Sequence, residues 1–148
     1  MDRTLLMIKG LGAASYHAVQ IPCTHSRLNG YKREMLVGWQ NPPQGWVAVN
    51  IDGALRRNTN MVAAGGVLRD YNGYWLGGFA VKLGKCSSHR AELWGVLHSL
   101  RIAKEKGFCR IWLHVDNKIV VQAITSSALH PCANSDLLNA IHGLLQLD

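Results

Sequence analysis

Trp46-Val47-Ala48-Val49-Asn50-Ile51-Asp52-Gly53 is the stretch on which the fold turns. Val47, Val49 and Ile51 alternate with Ala48, Asn50 and Asp52. A period of two predicts a half-buried strand, here ending at Asp52-Gly53. Outward from it, residues 62–69 predict a second strand, with Gly65 and Gly66 marking a bulge or close packing. Asp70-Tyr71-Asn72-Gly73 reads as a turn, and residues 74–81 as a third strand. Connections this short make the three an antiparallel meander. Ser87 or Ser88 then offers an N-cap, and Leu93, Val96, Leu97 and Leu100 recur at i, i+3, i+4 and i+7, the stripe of an amphipathic helix. Lys104, Lys106 and Gly107 suit its C-terminal end. Residues 110–116 alternate again, with Ile111, Leu113 and Val115 on one face and Trp112, His114 and Asp116 on the other. Residues 117–124 and 136–147 read as two further helices, separated by a loop with Pro131. The order βββαβαα implies a right-handed crossover from the meander to the fourth strand, and so a mixed sheet.

A chain of 148 residues suggests one domain that buries about two-thirds of its unfolded surface. With 48% hydrophobic and 17% charged residues, the composition excludes a disordered chain. No apolar run approaches the ~20 residues of a membrane span, so no membrane is expected as a partner. The formal net charge of +7 favours polyanionic partners, nucleic acid first among them, though a basic protein without such a partner stays open. Residues 1–30 show no clear period, and Gly10, Gly12, Pro22 and Gly30 interrupt them. Asn41-Pro42-Pro43-Gln44-Gly45 is a linker signal. The expected division is therefore an N-terminal extension over 1–45 and a domain over 46–148. Cys23, Cys86, Cys109 and Cys132 form no C-x-x-C pair, and Cys23 with His25 lacks the second ligand pair of a zinc site. A reduced, intracellular protein of the nucleus or cytoplasm is the expectation. Leu5-Leu6-Met7-Ile8 is too short for a secretory signal, while the few acids of the N-terminus leave a mitochondrial transit peptide open.

Three of the nine acids fall in telling places. Asp52 ends the first strand, Glu92 lies in the first turn of the long helix on its sheet-facing stripe, and Asp116 ends the fourth strand. If strand four lies parallel beside strand one, Asp52 and Asp116 finish at one edge, where sites of open α/β sheets form. Converging carboxylates repel one another and are costly unless a cation neutralises them. Oxygen-only ligation suits Mg²⁺ or Mn²⁺. Each residue also has a plainer reading: turn chemistry for Asp52, the helix macrodipole for Glu92, an N-cap for Asp116. Of the five tryptophans, Trp94 and Trp112 are expected in the core rather than on a base-stacking face.

Val49-Asn50-Ile51-Asp52-Gly53-Ala54, His89-Arg90-Ala91-Glu92-Leu93-Trp94-Gly95 and Val115-Asp116-Asn117-Lys118 together resemble the ribonuclease H type 1 fold. The closest resemblance is to the plant reverse-transcriptase-like subgroup of non-LTR retroelements, over about residues 37–147. It implies an α/β domain with a mixed five-stranded sheet flanked by helices. It also implies hydrolysis of the RNA strand of an RNA–DNA hybrid by two Mg²⁺ or Mn²⁺ ions roughly 4 Å apart. Asp52 then matches the carboxylate bridging the ions, Glu92 the ligand on the 2′-hydroxyl side, and Asp116 the third ligand. The resemblance places Gly53, Ser87 and Ser88 along the hybrid's minor groove, and Arg56, Arg57 and Arg90 at its phosphates. The family continues with a fifth strand, a loop histidine and a helix carrying a fourth metal-binding Asp, which His130, Asp136, His142 and Asp148 do not match. The expectation is a domain incomplete at its C-terminus, its fourth strand an open edge. The alternative is a catalytically impaired remnant that binds nucleic acid, or recruits a partner's strand at that edge.

Overall fold

The computed structural model describes residues 3–10 and 18–22 as backbone, and 41–108, 110–115, 117–126 and 133–145 in full. In chain order its elements are β1 (Arg3–Gly10), β2 (Ala18–Pro22), β3 (Val47–Arg56), β4 (Met61–Arg69), β5 (Trp75–Gly84), α1 (Ser88–Glu105), β6 (Arg110–Val115), α2 (Lys118–Thr125) and α3 (Ser135–Leu145). The meander β3–β4–β5 is antiparallel, and β6 returns parallel beside β3. The mixed sheet has the order β2-β1-β6-β3-β4-β5.

Two parts of the sheet differ from the sequence expectation. First, the far side of β6 is no open edge, because β1 pairs with it in parallel from Leu5–Arg110 to Gly10–Val115. β2 then covers β1 antiparallel. The aperiodic N-terminal extension thus contributes two strands to the domain's own sheet. Among the described residues no strand follows β6. Secondly, β3 does not stop at Asp52-Gly53. Its ladder with β4 runs on to Arg56–Met61, and the chain turns over residues 57–60 instead. There Thr59 N donates to Arg56 O at 3.2 Å, and Asn60 takes a left-handed φ of 52°, which Asn tolerates.

The core lies on one face of the sheet. Val47, Val49 and Leu68, with Ile111, Leu113 and Val115, meet the buried stripes of all three helices in one cluster. Leu93, Leu97 and Leu100 of α1 and Ile141 of α3 are each at most 1% exposed. Burying such side chains is worth about 1.5–3 kcal/mol apiece, so this face supplies the main cohesion. The α1 termini follow the expected signals. Ser87 Oγ accepts from Arg90 N at 3.1 Å as N-cap. At the other end Gly107 takes φ 71°, and Phe108 N donates to Ala103 O at 2.9 Å. Trp112 is buried as expected, whereas Trp94 is half-buried on the rim of the core. No described helix is long and apolar enough to cross a membrane.

Candidate active site

Asp52 lies within β3, on its exposed half, where β3 has outrun its partner β6. The β3–β6 ladder runs from Val47–Ile111 to Asn50–His114 and ends there, while Asp52 still pairs with Gly65 of β4. Among the described residues, Asp52 therefore has a ladder partner on one side of β3 only. Turn chemistry does not explain this residue, since the turn comes later.

Glu92 lies in the second turn of α1, because the helix begins at Ser88. The first turn holds no acid, so the macrodipole reading loses its ground. Ala91 and Gly95 form the sheet-facing stripe. A Cβ built on Gly53 lies 3.9 Å from Ala91 Cβ, and one built on Gly95 lies 2.4 Å from Ile51 Cγ2. Gly53 follows Asp52 and Ala91 precedes Glu92, so each carboxylate-bearing position lies one residue from the β3–α1 contact. Glu92 is half-buried with Oε2 enclosed, whereas Asp52 is exposed. The two carboxylates offer hard oxygen donors, the donor type that suits Mg²⁺ or Mn²⁺. In this sense the residues present fit a divalent metal. No group of three potential ligands occurs among the described residues. Asp116 lies outside them. Asn117, and not Asp116, is the N-cap of α2, its Oδ1 accepting from Ile119 N at 2.9 Å.

The other expected contact residues differ in their surroundings. Gly53, Arg56, Arg57 and Ser88 are exposed, the two arginines at the far end of the β3–β4 hairpin. The Ser87 hydroxyl is committed to the cap of α1. Arg90, its side chain partly exposed, clamps the start of α3. Nη1 donates to Asp136 Oδ1 at 3.2 Å, Asn134 Oδ1 at 3.1 Å and Ala133 O at 3.4 Å. Nη2 meets Asp136 Oδ2 at 2.9 Å. A forked pair of this kind fixes geometry as well as charge. The hydrogen bonds from Arg90 hold the Asp136 carboxyl below its usual value. A group whose folded value is depressed stabilises the fold above its unfolded value, and that contribution fades as the pH falls below the usual carboxylate range. Asp136→Asn should therefore lower the melting temperature at pH 6. The gap from wild type should close progressively on acidification below about pH 4. A gap that stays constant from pH 6 to pH 3 would rule the clamp out as a stabilising pair.

The sequence alone did not single out Asn50. It sits two residues before Asp52 on the same strand face, in register with His114. Its Nδ2 is enclosed with no acceptor among the described residues. Asn is depleted in strand interiors, and that was the available signal. Elsewhere, His98 is packed between Phe79 and Trp94, each ring pair 5.5 Å apart, and burial with nearby Arg101 pushes its imidazole below the ordinary value.

A three-strand meander, a helix and a strand that returns parallel beside the first define a ribonuclease-H-like α/β domain. Residues 50–146 match the family described as reverse transcriptase-like, and the chain belongs to that family. A protein of Arabidopsis thaliana named, provisionally, as a ribonuclease H protein is 46% identical over 117 residues. That alignment covers 78% of this chain but 18% of the relative, so the chain spans less than a fifth of the relative's length. Among solved structures, the RNase H1 of the halophilic archaeon Halobacterium salinarum is similar at 26% identity and a TM-score of 0.57. The match covers 68% of this chain and 76% of that one. The N-terminal RNase H domain of a Mycobacterium tuberculosis protein aligns with a TM-score of 0.59 at 22% identity, over 67% and 73% of the two chains. A compost-derived RNase H1, solved with an RNA/DNA hybrid, aligns at 0.57 and 16%, over 66% and 75%. These last two show the fold alone.

Proposed function

We propose that this domain cleaves the RNA strand of an RNA–DNA hybrid with the help of divalent metal, Mg²⁺ or Mn²⁺, held as two ions by Asp52, Glu92 and Asp116. The observation that carries this is the β3–α1 contact, where Gly53, next to Asp52, lies against Ala91, next to Glu92. β6 ends at Val115, directly before Asp116 in the chain. Bound metal supplies Lewis acidity and a water of lowered pKa. The chain's own residues do the rest. Asp52, exposed beyond the β6 ladder, presents its carboxylate where a nucleic acid can reach it. Glu92, half-enclosed, is carried on a helix packed into the core. Gly53 and Ser88 border the site with small, exposed positions that let a duplex approach. The solved relative with an RNA/DNA hybrid makes such a duplex the natural probe. The test is cleavage of a labelled hybrid by the folded chain with Mg²⁺ or Mn²⁺ and none in chelator. A folded chain inert under both metals would leave nucleic-acid binding without hydrolysis, the reading that the +7 charge favours.

Arg56 and Arg57 are proposed to hold phosphates of a duplex that extends from the site along the β3–β4 hairpin. The double variant Arg56→Ala/Arg57→Ala should weaken hybrid binding in chelator. It should also flatten the slope of log affinity against log salt by about 2, one unit for each phosphate no longer neutralised. An unchanged slope would remove both arginines from the interface.

A further inference from the structure

β1 lies outside the family match, which begins at residue 50, yet it pairs with more of β6 than β3 does. The β3 ladder covers only Ile111 to His114, whereas the β1 ladder runs from Arg110 to Val115. At Val115, the last residue of β6, the ladder partner among the described residues is Gly10 of β1, and β3 has already dropped out. Val115 immediately precedes Asp116.

We infer that the N-terminal strand is a positioning element of the active site: β1 fixes the end of β6 at Val115, the residue that precedes the proposed ligand Asp116 in the chain. This rests on the proposal above that Asp116 is a site ligand. A strand end paired on neither side frays, and one paired on one side depends wholly on that neighbour. Misplacing a catalytic group by about 1 Å can cost on the order of 100-fold in rate. β1 is in turn held by β2, by its contact with α2 and by that of β2 with α3, so the N-terminal hairpin is anchored to the helices that follow the site. The β1 ladder with β2 ends at Met7–Ala18, so at Ile8, Lys9 and Gly10 the strand's ladder partner is β6.

Successive amides of a strand point to opposite sides. Of the single variants Ile8→Pro and Lys9→Pro, one removes an N–H aimed at β6 and the other an N–H aimed away from it. Lys9→Ala keeps every amide. The first readout needs no variant: in the wild-type chain, hydrogen exchange of the β6 amides facing β1 should be as slow as that of the β3 amides facing β4. Exchange at the rate of an open edge would overturn the inference. In one proline variant and not the other, β6 protection should fall about tenfold or more while α1 and β4 stay protected. That same variant should lose about 10- to 100-fold in kcat for the hybrid, with KM within twofold, and should need more Mn²⁺ for half-saturation. Lys9→Ala should match wild type throughout. Lost β6 protection with unchanged kcat and unchanged Mn²⁺ affinity overturns the positioning role, as does a fall confined to KM. Should the wild-type chain cleave nothing, the nuclease proposal alone fails. Exchange then decides whether β1 holds β6, and calorimetric Mn²⁺ affinity of the three variants decides whether it positions the carboxylate.

Discussion

Asp52→Asn should abolish metal-dependent cleavage of an RNA–DNA hybrid, lowering kcat by about a thousandfold or more. The two side chains have the same shape, and position 52 is exposed on β3, so nothing in the core is disturbed. What changes is one negative charge and one anionic oxygen at the place where β3 meets α1. A thousandfold loss corresponds to about 4 kcal/mol of transition-state stabilisation, within what a charge-neutralising metal site supplies. Binding should move in the opposite direction. In chelator the Asp52 carboxylate faces the phosphates of an incoming duplex without a cation between them, so its removal should leave hybrid affinity unchanged or raise it. Loss of cleavage with retained binding therefore separates a catalytic carboxylate from a structural one. The paired measurements are single-turnover cleavage with Mg²⁺ or Mn²⁺ and equilibrium binding in chelator, with melting temperature as the control for folding. Asp52→Asn cleaving at the wild-type rate would end the nuclease proposal. Glu92→Gln should follow the same pattern, with a larger cost in stability because its carboxyl is partly enclosed.

The core of this domain was legible because it is written locally. Val47, Val49 and Ile51, and again Ile111, Leu113 and Val115, alternate as strands with one buried face must. Leu93, Val96, Leu97 and Leu100 carry the helical period, and Ser87 and Gly107 mark the ends of α1. The N-terminal strands escaped for a physical reason. A strand in parallel pairing inside a sheet reads as a short apolar run rather than an alternation, and Leu5-Leu6-Met7-Ile8 is such a run. Its partner, β6, is about a hundred residues away, and no local pattern announces a pairing that distant. Gly53 misled in another way. Beside Asp52 it looks like a turn, whereas in the fold it is the strand position that faces Ala91 of α1. The motif around Arg90 points to a phosphate contact, yet the structure gives its guanidinium to Asp136 on α3, a pairing that exists only once the helices have packed. Asp52 and Glu92 could be chosen from the sequence. The close approach of α1 to β3 beside them depends on small residues whose role shows only in three dimensions.

Gly95→Leu tests that approach and carries the largest expected cost in stability. Gly95 lies on the α1 stripe that faces β3, one turn after Ala91, and Ser99 follows one turn later with its Oγ donating to Gly95 O at 2.7 Å. Small side chains along this stripe let the helix axis lie close to the sheet. Even a single Cβ on Gly95 would sit 2.4 Å from Ile51 Cγ2, far inside the 3.5–4 Å at which carbon atoms pack. Ile51 is β-branched and stiff at χ1, so its methyl cannot swing aside cheaply. Two effects oppose each other for Gly95→Ala. Removing a helical glycine gains about 1 kcal/mol of propensity, and overpacking costs about 1–3 kcal/mol. The net should be a modest destabilisation. For Gly95→Leu the propensity gain is much the same while the added volume is several times larger, so the helix must lift from β3. The cost should reach about 3 kcal/mol, a large share of the 5–15 kcal/mol typical of a domain. In urea the midpoint should fall with little change in slope. Because lifting α1 carries Glu92 away from Asp52, Mn²⁺ affinity should fall in the still-folded Gly95→Ala protein as well, though by less than in Glu92→Gln. A Gly95→Leu chain as stable as wild type would show that α1 does not press on β3 at this point. The close approach of helix to sheet would then have to be sought elsewhere along α1.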